Sequence, residues 1–74
     1  MMEEILKILR EIKPGVDFEG RTDLVSGGIL DSFDIISLVS ELNEVLDIEI
    51  PVEEIVPENF ESAEAIKKLA DASV

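Results

Sequence analysis

The sequence predicts an all-α fold: three main helices, one short helix, and a long loop between the first two. Three observations predict it. Apolar residues recur at helical spacing in three separate stretches. Pro and Gly punctuate the chain between those stretches. Two of the stretches follow a residue suited to capping a helix, Asp31 and Ser62.

The first helix is expected from about Met2 to Lys13. Ile5, Leu9 and Ile12, with Leu6 and Ile8 beside them, keep the i, i+3/i+4, i+7 spacing of an amphipathic helix, and Pro14-Gly15 ends it. Residues 14–31 form a long connection carrying Pro14, Gly15, Gly20, Gly27 and Gly28. A loop of that length in a small domain is functional or packed on itself. Val16, Phe18, Leu24, Val25, Ile29 and Leu30 imply that it lies against the helices and adds to their core.

The second helix is expected from Ser32 to about Leu46. Asp31 is a good N-cap, and Asp34 stands three residues later, where a capping-box acid belongs. Ile35, Leu38, Val39, Leu42, Val45 and Leu46 fall within an arc of roughly 120°, one stripe facing the core. Phe33 falls nearly opposite that stripe and Ile36 beyond its edge, so either the long loop folds back to cover them or they stay exposed as a partner face. Pro51 and Pro57 each suit the first position of a helical turn, which gives short turns at Pro51–Ile55 and Pro57–Phe60. The second of these is the short helix. Ser62 then caps a final helix to about Ala72, with Ile66, Leu69 and Ala70 inward. These amphipathic faces share one core.

Seventy-four residues make a single domain, 1–74, and a small one. A chain this short buries only about 60% of the surface it exposes when unfolded. It has no Cys to form a disulfide or a thiolate metal site, and no His, the usual general base and commonest metal ligand. Catalysis would rest on carboxylates and hydroxyls in a domain too small for a deep pocket. The expectation is a protein that is no enzyme, with no catalytic residues and no metal site. Glu3 and Glu4 stand where a secretory leader wants positive charge, and no apolar run approaches the roughly 18 residues of a membrane span. A cytoplasmic monomer is expected.

Charge is more informative. Eighteen acids against six bases give a net charge of −12, which argues against a nucleic-acid partner. Residues 22–66 hold twelve acids and no base. Solubility does not require one stretch to be free of Lys and Arg. A basic partner surface explains it better.

The run Gly28-Ile29-Leu30-Asp31-Ser32-Phe33, at the head of an acidic amphipathic helix, resembles the attachment site of acyl carrier proteins, a family with an Asp-Ser-Leu signature or a close variant at this point. Nearly the whole chain agrees with the family: helix one, long loop, Asp-Ser at the start of helix two, a short third helix, then a last helix. The resemblance implies an acyl-carrier-like four-helix bundle. It also implies 4′-phosphopantetheine attached covalently to Ser32 by a separate phosphopantetheinyl transferase. The cargo, acyl or aminoacyl, would be carried as a thioester and presented to loading ligases and transferases with basic docking patches. Of the family's recognition surface, Asp31, Phe33, Asp34, Ile36 and Glu44 match in character. Ser37, Ser40 and Asn43 depart from it, as does Phe33 in place of Leu. Those departures weaken the fatty-acid synthase partnership. Ile-Leu-Asp-Ser before a large residue other than Leu also resembles D-alanyl carrier proteins.

The local physics agrees with this assignment. A phosphodiester on Ser32 would lie at a helix N-terminus, where free N–H groups and the macrodipole favour an anion. Asp31 supplies the cap, so Ser32 is not needed for it. The competing reading is an acidic interaction module without a prosthetic group. An EF-hand loop counted from Asp31 fails, because its ligand positions fall on Phe33 and Ile35 and its glycine on Ile36. No Gly-x-Ser-x-Gly elbow occurs.

Overall fold

A computed structural model of the chain describes residues 2–73. Its regular structure is three α-helices, α1 (Met2–Ile12), α2 (Ser32–Val45) and α3 (Ala63–Ala72), with two 3₁₀ turns, Val52–Glu54 and Pro57–Phe60, between α2 and α3. No strand occurs among the described residues. The all-α arrangement read from the periodicity is the one that forms, with the short helix realised as the second 3₁₀ turn.

Helices of 11, 14 and 10 residues are marginal on their own in water, so packing holds them. Ile5, Leu6, Ile8 and Leu9 of α1 are buried, as are Ile35, Leu38, Val39 and Leu42 of α2 and Ile66, Leu69 and Ala70 of α3. A fully buried Leu or Ile contributes about 1.5–3 kcal/mol, several times an ordinary difference in helix propensity. α1 packs against both α2 and α3, and α3 packs against the second 3₁₀ turn. The α1 helix ends one residue before the expected Lys13, whose N–H still donates to the Leu9 carbonyl at 2.9 Å before Pro14 breaks the ladder.

Two details differ from the helical-wheel reading. Val45 is half exposed, at 51% of its full surface, rather than buried. It lies at the edge of the apolar arc in the last turn of α2, where Leu46 and Ile48 take the core-facing places. Pro51 stands just outside the first 3₁₀ turn with extended backbone (ψ 145°), and Val52 is the first turn residue. Pro57 does occupy the first turn of its element.

The chain leaves α2 through a Schellman-type cap. Asp47 adopts a left-handed conformation (φ 53°), and the Ile48 N–H donates to the Asn43 carbonyl at 3.2 Å. The Asn43 side-chain oxygen accepts the Ile50 N–H at 3.1 Å, steering Ile50 into the core. Phe60 is fully buried at the end of the second 3₁₀ turn.

The long loop folds onto the bundle as expected. Phe18, Leu24 and Leu30 are buried, while Val16, Val25 and Ile29 are half-buried against them. Its final stretch is tightly wound. Gly27, Gly28 and Leu30 donate to the carbonyls of Asp23, Val25 and Leu24. A Cβ on Gly27 would come within 2.6 Å of the Asp23 carbonyl oxygen, and Gly28 has φ +78°, so glycine is required at both for steric reasons.

Candidate functional site

Ser32 is the first residue of α2 and is exposed. The residue before it does the capping. The Asp34 N–H donates to Asp31 Oδ1 at 2.9 Å, and the Asp31 N–H donates to Asp34 Oδ2 at 3.1 Å, a closed capping box. The first helical bond runs from the Ile35 N–H to the Asp31 carbonyl at 3.0 Å. The Ser32 and Phe33 N–H groups precede that bond and sit at the positive end of the helix dipole. The Ser32 hydroxyl takes part in no hydrogen bond among the described residues. A helix start thus presents a solvent-facing hydroxyl that folding does not use.

Asp34 has a further partner. Lys13 Nζ, arriving from the end of α1, lies 3.1 Å from Asp34 Oδ2. Burial pushes the Asp34 carboxyl upward, but the Asp31 N–H and the Lys13 ammonium outweigh it and hold the group below the ordinary carboxylate value. The side chain is mostly covered, at 16% exposure. It therefore fixes the helix start to α1 and offers less of itself to solvent than its neighbours do.

The other residues singled out from the sequence occupy the outer face of α2. Phe33 is 81% exposed and Ile36 63% exposed, and the loop does not fold back over either. Asp31 and Glu44 are exposed as well, Glu44 three turns along the helix. A shallow cleft of about 240 Å³ opens beside Ser32, lined by Ser32, Ile35, Ile36, Ile55, Val56 and Pro57. Apart from the Ser32 hydroxyl its lining side chains are apolar. Such a place can bear a flexible covalent adduct and let it lie along hydrocarbon. The fit to an anionic linkage is physical: an unused nucleophilic oxygen, two N–H groups pointing outward at a helix start, and no competing role for the serine.

Three contributors lay beyond sequence reasoning. Lys13 meets Asp34 across a turn and a loop, Glu61 binds the loop ahead of Ser32, and Asn43 organises the exit of α2. No local spacing rule links Lys13 to Asp34 or Glu61 to residues 24–26, and the nearby cap at Asn43 lacks the glycine that would announce it, Asp47 holding the left-handed position instead. Among the described residues, no group of three or more His, Cys, Asp or Glu side chains is arranged to hold a metal ion. Nor is any helix among the described residues long and apolar enough to cross a membrane.

Residues 1–72 match the family model described as the phosphopantetheine attachment site. No curated protein and no solved structure matches the chain. Carrier domains of that family catalyse no reaction themselves; they hold 4′-phosphopantetheine covalently on a serine and work with partner enzymes such as transferases. With the match running over nearly its whole length, this chain belongs to the phosphopantetheine attachment site family of carrier domains.

Proposed function

We propose that Ser32 is the serine that bears the arm, and that the chain carries an acyl or aminoacyl group to partner enzymes that dock on the outer face of α2. One observation carries the reading: the exposed Ser32 hydroxyl is idle at the head of α2, because Asp31 and Asp34 close the cap between them. The Ser32 and Phe33 N–H groups and the helix dipole would stabilise the phosphodiester. When bound, the arm supplies a thiol on which cargo travels as a thioester. The chain's own residues orient and present it. Asp31, Glu44 and the other acids of residues 22–66 supply a negative field for a basic docking patch, with Phe33 and Ile36 as its apolar centre. Asp34 contributes by holding the helix start in place.

Incubation of the chain with coenzyme A and a broad-specificity phosphopantetheinyl transferase tests the reading. A gain of one phosphopantetheine mass supports it. An unchanged mass would favour an acidic interaction module without a prosthetic group.

Within the carrier reading, an aminoacyl cargo of the D-alanyl type is the alternative to a fatty-acyl one, and Phe33 is the residue that raises it. It stands exposed after Ile29-Leu30-Asp31-Ser32, where fatty-acid carriers have Leu. Loading of the arm-bearing chain by an amino-acid-activating ligase, compared with a fatty-acyl ligase, separates the two.

A further inference from the structure

The segment that delivers the chain to Ser32 is held by a residue thirty-odd positions away. Glu61 lies between the second 3₁₀ turn and α3, flanked by the buried Phe60 and by Ser62, whose hydroxyl oxygen accepts the Ala65 N–H at 3.0 Å. Its carboxylate oxygen Oε1 accepts three hydrogen bonds from the loop. The Val25 N–H donates at 2.9 Å, the Ser26 N–H at 3.0 Å and the Ser26 hydroxyl at 3.3 Å. Its main-chain carbonyl accepts a fourth, from the Leu24 N–H at 3.0 Å. Three successive loop residues are thus bound to one residue of another element.

From there the path to Ser32 is short and continuous. The Leu24 carbonyl accepts the Leu30 N–H at 2.7 Å, and Val25 accepts from Gly28 at 3.0 Å. Leu30 leads directly into Asp31, the cap, and then Ser32. Glu61 also ends the segment that contains Ile55, Val56 and Pro57, the far wall of the cleft beside Ser32. One carboxylate therefore joins both surroundings of the serine: the loop before it and the wall across from it. The surrounding charges do not explain the contact. Glu61 faces Asp23, a like charge whose own carboxyl is held down by the Arg21 guanidinium at 2.8 Å. Hydrogen bonding to charged Glu61 prevails over that repulsion, and the Ser26 and Val25 donors hold its carboxyl below the ordinary value despite burial and Asp23.

We infer that Glu61 is a positioning residue for arm attachment: it staples residues 24–26 to the 57–61 segment so that Ser32 is presented to the transferase in one fixed orientation. The inference rests on the carrier reading above. Without the staple, the buried Leu24 and Leu30 still anchor the loop, and the fold persists. The stretch between them then samples several conformations, and only a fraction accepts the enzyme. A reduced competent fraction weakens apparent binding in proportion, so the loss falls on KM and leaves kcat near its original value.

The test compares the full-length chain with E61A, E61Q and E58Q, by amide hydrogen exchange and by the kinetics of arm attachment from coenzyme A. Exposed Glu58 serves as the control, because E58Q removes a nearby charge without touching the loop. In E61A, the Val25 and Ser26 amides should exchange about tenfold faster or more, while the Leu38 and Leu42 amides of α2 keep their protection. KM for the chain should rise about three- to tenfold. E61Q keeps an acceptor oxygen in place and should recover part of both effects. E58Q should keep the Val25 and Ser26 amides protected and, removing only one charge of the docking field, should raise KM less than E61A does. Equal protection of Val25 and Ser26 in E61A, or freed amides with unchanged KM, would overturn the inference while leaving the carrier reading intact. A KM rise in E58Q equal to that in E61A would overturn it too, by assigning the effect to charge. An original chain that takes no arm would sink the carrier reading and this inference with it.

Discussion

Phe33 shows how much a single side chain can be asked to do without a structural reason. The residue is 81% exposed on the first turn of α2, beside the serine, in a chain that buries its other two phenylalanines, Phe18 and Phe60, completely. Leaving so large an apolar surface in water next to Ile36 is what a contact site requires and what a monomer alone does not need. Phe33→Ala should therefore change stability by no more than about 0.5 kcal/mol, the range of an ordinary surface substitution. The same change should slow arm attachment or cargo loading. A loss of about 3–5 kcal/mol, the usual cost of truncating a core Phe, would show that Phe33 packs in solution. Unimpaired loading by the native partner would remove it from the proposed docking face. At this scale the sequence was legible wherever a helical wheel applied: Phe33 and Ile36 read as outside the stripe, and both are exposed. Val45 was misread because it sits at the arc's edge in a final turn, where small angular differences decide exposure. Glu61 and Lys13 were invisible because their partners lie on other elements, and pairing between elements leaves no periodic trace.

α2 is capped well at one end and imperfectly at the other. At its start the reciprocal Asp31–Asp34 box satisfies two backbone donors, and both residues were evident from the spacing alone. At its end, Asp47 takes the left-handed position that glycine usually fills in a Schellman cap. A side chain there meets the steric cost of positive φ, and a carboxylate faces the negative end of the helix dipole. Asp47→Gly should stabilise the chain by roughly 0.5–1 kcal/mol, read as a higher denaturant midpoint with an unchanged slope. A midpoint that fell would mean that Asp47 makes a compensating interaction or that glycine's gain in unfolded-state freedom prevails. Elements were legible to within a residue or so because each is announced by local chemistry. The long loop was legible only as packed. Its hydrophobic residues showed that it lies on the core, but its winding through Gly27 and Gly28 and its tie to Glu61 depend on contacts distant in sequence.

The whole molecule combines a thin core with a lopsided surface. Within residues 22–66, Asp34 and Asp23 are paired, with Lys13 and Arg21, while the stretch holds twelve acids and no base of its own. Repulsion among exposed charges reaches about 8 Å at physiological salt and farther when salt is low. Raising salt from low to moderate concentration should therefore raise the thermal midpoint, as should Mg²⁺. A flat or falling midpoint would show that the acids are already compensated or too far apart to matter. The same field that burdens the free chain is what a basic partner would relieve, so in the proposed function stability and docking would draw on one charge distribution. In the proposed function, all of this serves the presentation of one hydroxyl, that of Ser32. The most direct test is the intact mass of Ser32→Ala beside the original chain, each incubated with coenzyme A and a phosphopantetheinyl transferase. The original should gain one phosphopantetheine and Ser32→Ala none; an arm on the alanine variant would contradict the account at its centre.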